Sequence, residues 1–174
     1  MNIIIATLNI NGATAPSHDM NLIRKWITIN YMMRNHKTAI LTLQETHLDE
    51  EYASNINNCF HRSFDLHYSY NCNNMRGSTG VAFLINKALI EPKNIKVQTL
   101  VPGHTIILTI TRSKTEKTSI LNVYVPISRP SQPHFWEKLE RRRIQACIPC
   151  LDFVLGDFNI TEDLIDRAPP RLDN

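Results

Sequence analysis

Long apolar runs are missing from this chain. Stretches such as Ile3 to Ala6 and Thr105 to Ile110 fall far short of the roughly 20 residues that a membrane-spanning helix requires. Cysteine is sparse, with four residues (Cys59, Cys72, Cys147 and Cys150) in 174, which suits a reducing compartment better than a disulfide scaffold. Cys147-Ile148-Pro149-Cys150 is an isolated CxxC; zinc would need two more ligands at a partner spacing that the sequence does not offer. It reads as two thiols in a loop. Charge of one sign is not in excess either: 19 Lys plus Arg stand against 16 Asp plus Glu, a net +3. That balance excludes a polycationic tail or an acidic solvating segment, while a pI near 8.7 suits a polyanionic partner without demanding one. The N-terminus has no basic segment before Ile3, and Asn9 and Asn11 interrupt any signal-like apolar stretch, so an intracellular protein is expected. Asn159-Ile160-Thr161 is a glycosylation sequon in form and should stay bare.

What is present is the composition of one ordinary α/β domain, with 43% hydrophobic and 20% charged residues. Ile3 to Asn9 is rich in β-branched residues and closes on Asn-Ile-Asn-Gly, which predicts a buried strand running into a turn. Pro16 to Asp19 offers cap residues, and Leu22, Ile23, Trp26, Ile27, Asn30 and Tyr31 keep a helical spacing to about Arg34. Thr38 to Gln44 alternates as a strand, with Ala39, Leu41 and Leu43 on one face. Asp49 to Phe60 predicts a short helix. Phe64–Tyr70, Gly80–Asn86, Asn94–Val101, Thr105–Thr111 and Ser119–Val125 read as consecutive strands. Ser131 to Ala146 returns to helix, and Leu151 to Leu155 is a last short strand. The order βαβ, β-meander, αβ predicts a mixed sheet.

Four strands stop at polar side chains: Asn9-Ile10-Asn11-Gly12, Gln44-Glu45-Thr46-His47, Tyr124-Val125-Pro126 and Gly156-Asp157-Phe158-Asn159. Ligands bind at that end of strands in α/β sheets. Alone, Glu45 could start a helix, Tyr124 could be a half-buried aromatic, and Asp157 could form a turn beside Gly156. Together they supply oxygen ligands for a hard divalent cation, amides that orient water or phosphate, and a phenol able to donate to developing negative charge. Metal-assisted hydrolysis of a phosphate ester needs that set. Glu45 is the best candidate for the cation, since Mg²⁺ keeps most of its waters and takes one or two protein carboxylates.

These segments, with Arg76-Gly77-Ser78-Thr79-Gly80-Val81-Ala82 and Asn122-Val123-Tyr124-Val125-Pro126, occur in the order seen in the endonuclease/exonuclease/phosphatase superfamily. The wording looks most like the apurinic-type endonuclease domains of non-LTR retrotransposons, which commonly carry Asn at both the Asn9 and Asn11 positions. The resemblance implies a two-sheet sandwich flanked by helices and Mg-dependent phosphodiester hydrolysis on DNA, with Mn as a possible substitute. It places Asn9 and Glu45 at the metal, Asn11 beside them, Tyr124 on the scissile phosphate, Asp157 on the attacking water and Asn159 as its amide partner. Nearby, His47 is a candidate to line the cleft, and Arg76 and Arg129 are candidates for phosphate contacts. Arg141-Arg142-Arg143 reads instead as a solvated helix face with pairs such as Glu137 to Arg141.

The pattern of the family continues with a late Asp motif and a terminal Ser-Asp-His. This chain has no Ser-Asp-His, its seven His residues all precede Asp157, and Ile127 stands where many members have Asn. The expectation is therefore a single domain over 1–174, corresponding to the N-terminal portion of the family fold and incomplete at its C-terminus. That would leave an apolar sheet face uncovered and prone to self-association, with nuclease activity impaired. A catalytically inactive nucleic-acid-binding remnant, or a phosphatase of the same superfamily, are the other readings, and the resemblance implies a nuclear location.

Overall fold

In the computed structural model, residues 3–12, 20–71, 79–111, 113, 116–148 and 150–160 are described, and the side chains of 20–22 and 92 are not. The elements run β1 (Ile4–Asn9), α1 (Met20–Asn35), β2 (Thr38–Gln44), α2 (Glu50–Phe60), β3 (Phe64–Ser69), β4 (Val81–Asn86), β5 (Ile95–Val101), β6 (Thr105–Thr111), β7 (Lys117–Tyr124), α3 (Gln132–Gln145) and β8 (Phe153–Asp157). The strands form two sheets, ordered β1-β2-β4-β3 and β5-β6-β7-β8, where strand order along the chain alone suggested one mixed sheet. Among the described strands only β1/β2 and β7/β8 pair in parallel. Those are the two pairs whose connections carry a helix, α1 and α3, as a parallel crossover demands.

The sheets pack face to face through Ile40, Phe83 and Ile85 of one and Ile106, Leu108, Ile120 and Tyr124 of the other. On the outer face of the first sheet, Trp26, Ile29 and Met33 of α1 and Ala53 and Ile56 of α2 cover Leu41, Leu43 and Leu84. On the outer face of the second, Phe135 and Leu139 of α3 cover Ile107, Leu121 and Val123. Each sheet is thus buried on both sides, so all seven residues of β2 are buried, and the one-faced alternation expected there does not hold. Burying a side chain such as Phe83 contributes about 1.5–3 kcal/mol.

Helix α1 departs from the sequence reading in its facing. Two rows satisfy helical spacing, and the row carrying Trp26, Ile29 and Met33 turns inward, leaving Ile23, Ile27 and Tyr31 at 48%, 52% and 64% exposure. Trp26 decides the choice: its indole N–H donates to Tyr52 Oη at 2.7 Å and its ring packs on Phe64, giving the largest apolar group both burial and a polar partner. Helix α2 starts as its sequence suggests, with Asp49 accepting from the Tyr52 amide at 2.8 Å.

Strand β8 lies two residues later than expected. The Asp152 carboxylate accepts the Ser119 amide at 2.7 Å and the Asp152 amide donates to Ser119 O, so the ladder opens only after Asp152. Gly156 and Asp157 are then inside the strand, paired with Val123 and Tyr124. Gly156 has φ +146°, and a Cβ there would sit 1.8 Å from Val123 O, so no other residue fits.

Among the described strands, the uncovered apolar surface expected on a sheet face is confined to edge strands β1 and β8, where Ile4, Phe153 and Val154 are 48%, 47% and 42% exposed. Among the described residues no helix is long and apolar enough to cross a membrane.

Candidate active site

Asn9, Gln44, Tyr124 and Asp157 are the last residues of β1, β2, β7 and β8, and the packing of the sheets brings these ends to one edge. The centre of the cluster is the Asn9 side chain. Its Nδ2 donates to Glu45 Oε1 at 3.1 Å and to Asp157 Oδ2 at 2.8 Å, so one amide spans two carboxylates from opposite sheets. Asn9 Oδ1 accepts the Asn11 amide at 2.8 Å, which uses the remaining polar atom of the side chain and fixes its orientation. Asp157 Oδ1 accepts the Asn159 amide at 2.9 Å. Asn159 Nδ2 donates to Val125 O at 2.7 Å, tying the exits of β7 and β8 together.

These exits are held in costly backbone conformations. Among the described residues six non-glycines have positive φ, and four of them, Asn11 (43°), Glu45 (51°), His47 (48°) and Asn159 (49°), belong to the segments that build this edge. Each costs on the order of 1–3 kcal/mol, although the local hydrogen bonding of Asn lowers it. Such strain persists where surrounding contacts over-determine the geometry. Here the constraint is close packing, because a Cβ on Gly12 would lie 2.4 Å from Glu45 O and 2.6 Å from His47 Cγ.

The floor beneath the site is a polar network inside the sandwich. Asn122 and Gln44 are 0% and 1% exposed. Gln44 Nε2 donates to Asn122 Oδ1 at 2.7 Å, and Asn122 Nδ2 donates to Leu43 O at 3.0 Å and Ala82 O at 2.8 Å. These bonds cross from β7 to β2 and β4 and fix the two sheets against each other directly below Glu45.

Two further groups at this edge were not singled out from sequence. Lys25 on α1 donates to the carbonyls of Ile10 and Asn11, clamping the loop after β1, and burial lowers its pKa. Gln132 donates to Pro126 O at 3.0 Å and to Asn159 O at 3.4 Å. A lysine on a helix and a glutamine at a helix start carry no sequence signal of such contacts. His47 stands against Gly12 with Nε2 buried and lacking a partner among the described residues. Its pKa is lowered, chiefly by burial; Glu45 opposes the shift and Lys25 adds to it.

Of the residues proposed from sequence, Asn9, Asn11, Glu45, Asp157 and Asn159 therefore form one hydrogen-bonded cluster. Tyr124 is 2% exposed and sits opposite Asp157 in the ladder, with its ring among the inter-sheet core. Arg129 lies outside the cluster, exposed in the turn Arg129–Ser131, and Arg76 lies outside the described residues. Two of the three arginines on α3 serve the fold: Arg143 pairs with Glu140 and Arg142 donates to Leu100 O at 2.6 Å, while Arg141 is exposed.

The donor set fits a hard divalent cation that keeps most of its water. Two carboxylates converge with no lysine or arginine paired to either among the described residues, and Glu45 Oε2 takes no hydrogen bond from them. No group of three or more His, Cys, Asp or Glu side chains comes together among the described residues.

A family model described as Endonuclease/Exonuclease/phosphatase family matches residues 6–173. A curated relative, the "Transposon TX1 uncharacterized 149 kDa protein" of Xenopus laevis, is 27% identical over 177 residues, covering 98% of this chain and 12% of its own length. Among solved structures, an AP endonuclease from Archaeoglobus fulgidus superposes with a TM-score of 0.62 at 20% identity, over 95% of this chain and 60% of that one. The endonuclease domain of TRAS1, a telomere-specific non-LTR retrotransposon, gives 0.58 at 13% identity, over 92% and 61%. The chain thus spans about an eighth of the curated relative and about three fifths of these solved structures.

Proposed function

The chain belongs to the endonuclease/exonuclease/phosphatase family, and from that membership we propose that it is a metal-dependent DNA endonuclease of the retrotransposon type, cutting phosphodiester bonds where β1, β2, β7 and β8 end. A transposon protein and the endonuclease domain of a retrotransposon among its relatives support this substrate class. The observation that carries the reading is the Asn9 amide shared by Glu45 and Asp157 at 3.1 and 2.8 Å, because it joins a cation ligand to a water-activating carboxylate across two sheets.

Residue by residue, the chemistry follows from the atoms present. Glu45 through its open oxygen and Asn9 through the second lone pair of Oδ1 would hold Mg²⁺ or Mn²⁺, which would neutralise phosphate charge and make a bound water more acidic. Asn11 sets the orientation of Asn9 through its backbone amide and borders the substrate. Asp157, whose Oδ1 takes the Asn159 amide and whose Oδ2 takes Asn9 Nδ2, accepts the proton of the attacking water on a remaining lone pair. Tyr124 donates its phenolic hydrogen to a non-bridging oxygen of the scissile phosphate, where charge develops. His47, Arg76 and Arg129 contact the flanking backbone.

The test is nicking of supercoiled plasmid in Mg²⁺ and in EDTA, with Glu45→Ala and Asp157→Ala alongside. Metal-dependent nicking lost in both variants is expected. Salt-sensitive DNA retention without nicking would reduce the function to binding, and release of phosphate from a phosphomonoester without nicking would move it to the phosphatases.

A further inference from the structure

His104, which lies outside the strand-end motifs, makes an unusual set of contacts with Tyr124. It sits in the turn between β5 and β6, half-buried, one residue before Thr105, whose ladder partner is Val123. Its carbonyl accepts the Tyr124 amide at 2.8 Å, and its Nδ1 lies 2.8 Å from the Tyr124 carbonyl. A carbonyl only accepts, so Nδ1 carries the hydrogen and donates. The two rings are then near parallel, 14° apart with centroids at 6.0 Å, and Phe135 of α3 lies 5.7 Å from the imidazole, tilted by 59°.

Backbone pairing alone fixes the Cα of Tyr124 but not the direction of its ring. The inter-sheet core buries the ring, and the imidazole adds a wall whose own orientation is pinned by the Nδ1 bond. Phe135 contacts Trp136 at 5.3 Å, and Trp136 stacks on Phe158 at 6.4 Å. The aromatic series Tyr124, His104, Phe135, Trp136, Phe158 therefore runs from the end of β7 to the residue after Asp157. Packing would be met by any ring at position 104; the bond to the Tyr124 carbonyl requires a ring that also donates. Histidine is the side chain that does both in this geometry.

We infer that His104 is a positioning residue for Tyr124: it aims the phenol at the phosphate without touching substrate. This rests on the reading of Tyr124 as a phosphate-contacting group. His104→Ala, His104→Phe, Tyr124→Phe and the double variant His104→Ala/Tyr124→Phe are compared on an oligonucleotide with one cleavable bond, after confirming that each unfolds cooperatively. His104→Ala is expected to lower kcat by about tenfold with KM unchanged, and His104→Phe by less, since it keeps the wall. In the Tyr124→Phe background the same alanine substitution should cost less than about twofold, because residues acting through one group are not additive. Losses that multiply would overturn the inference and leave His104 a structural residue.

A second readout needs no turnover. With 3-fluorotyrosine incorporated, the ¹⁹F resonance of Tyr124, assigned by its loss in Tyr124→Phe, should shift and broaden in His104→Ala and stay sharp in His104→Phe. An unchanged resonance in His104→Ala overturns the inference. If the wild type fails to nick while this resonance responds, the nuclease reading fails and the positioning of Tyr124 stands.

Discussion

Asn9 and Asp157 stand 148 residues apart in sequence and are joined at 2.8 Å by the amide of one and the carboxylate of the other. The same Nδ2 also serves Glu45, so an uncharged donor separates two anions. Asn9→Asp would place a third carboxylate there and remove the donor. Without divalent cation, like-charge repulsion is expected to cost about 1–3 kcal/mol in urea unfolding. Millimolar Mg²⁺ should restore the loss, because binding to the folded state alone stabilises it. A midpoint equally lowered with and without Mg²⁺ would mean that no cation sits between these groups.

A second expectation concerns the interior below the site. Asn122→Leu keeps the volume but leaves Gln44 Nε2, Leu43 O and Ala82 O each short of a partner. At about 1–3 kcal/mol for a buried polar group left unsatisfied, and with Gln44 able to fall back on Thr7 and Thr42, a total near 3 kcal/mol is expected in chemical denaturation. The double change Gln44→Leu/Asn122→Leu should recover part of that loss, since removing both partners costs less than stranding one. Equal stability of single variant and wild type would show that water replaces the network.

The strand-end clusters were legible in the sequence because chemistry and topology leave the same mark there: an apolar run that stops on Asn, Glu, Tyr or Asp. The two-sheet fold came with the resemblance; strand order by itself gave one sheet, since antiparallel neighbours read alike whether they share a sheet or not. Three kinds of information stayed hidden. The facing of α1 was ambiguous because Trp26 and Ile27 both sit on plausible apolar rows, and only the Tyr52 partner and the Phe64 surface decide between them. The two-residue shift of β8 depends on Asp152 bonding Ser119, a contact between residues 33 positions apart. Lys25, Gln132 and His104 act through backbone carbonyls, which have no letter in a sequence to pair with.

Stability should also depend on pH through His67. Burial lowers its pKa from the ordinary value near 6.5, with Asp65 acting in the opposite sense, and its Nε2 has no partner among the described residues. The folded state therefore holds His67 neutral where the unfolded chain binds a proton. Between the depressed folded pKa and about 6.5 the unfolded state carries more protons, so stability rises with pH across that window. His47, lowered for the same chief reason, adds in the same direction. Thermal melts from pH 7.5 down to 5 should show Tm falling below about pH 6.5, with a shallower fall in His67→Phe. Parallel curves for the two proteins would remove His67 from the account.

The last expectation follows from the open margin. Strand β1 ends the first sheet and β8 the second, and among the described residues no strand pairs with the outer side of either, beside Ile4, Phe153 and Val154. Exposed apolar edges pair with other strands unless charge, proline or a cover prevents it. Lys and Pro are absent from both strands, and Asp157 at the end of β8 is the one charged residue on either, so the usual protections are nearly missing. Residues 1–174 alone should therefore self-associate reversibly through these edges, seen as a mass that rises with concentration in sedimentation or light scattering. Ile4→Lys together with Val154→Lys places a cation on each edge, away from the hydrogen-bonded cluster, and should return the protein to a monomer. A wild type that stays monomeric at all concentrations would show that the two edges are protected by each other, or by residues 161–174, rather than by a second chain.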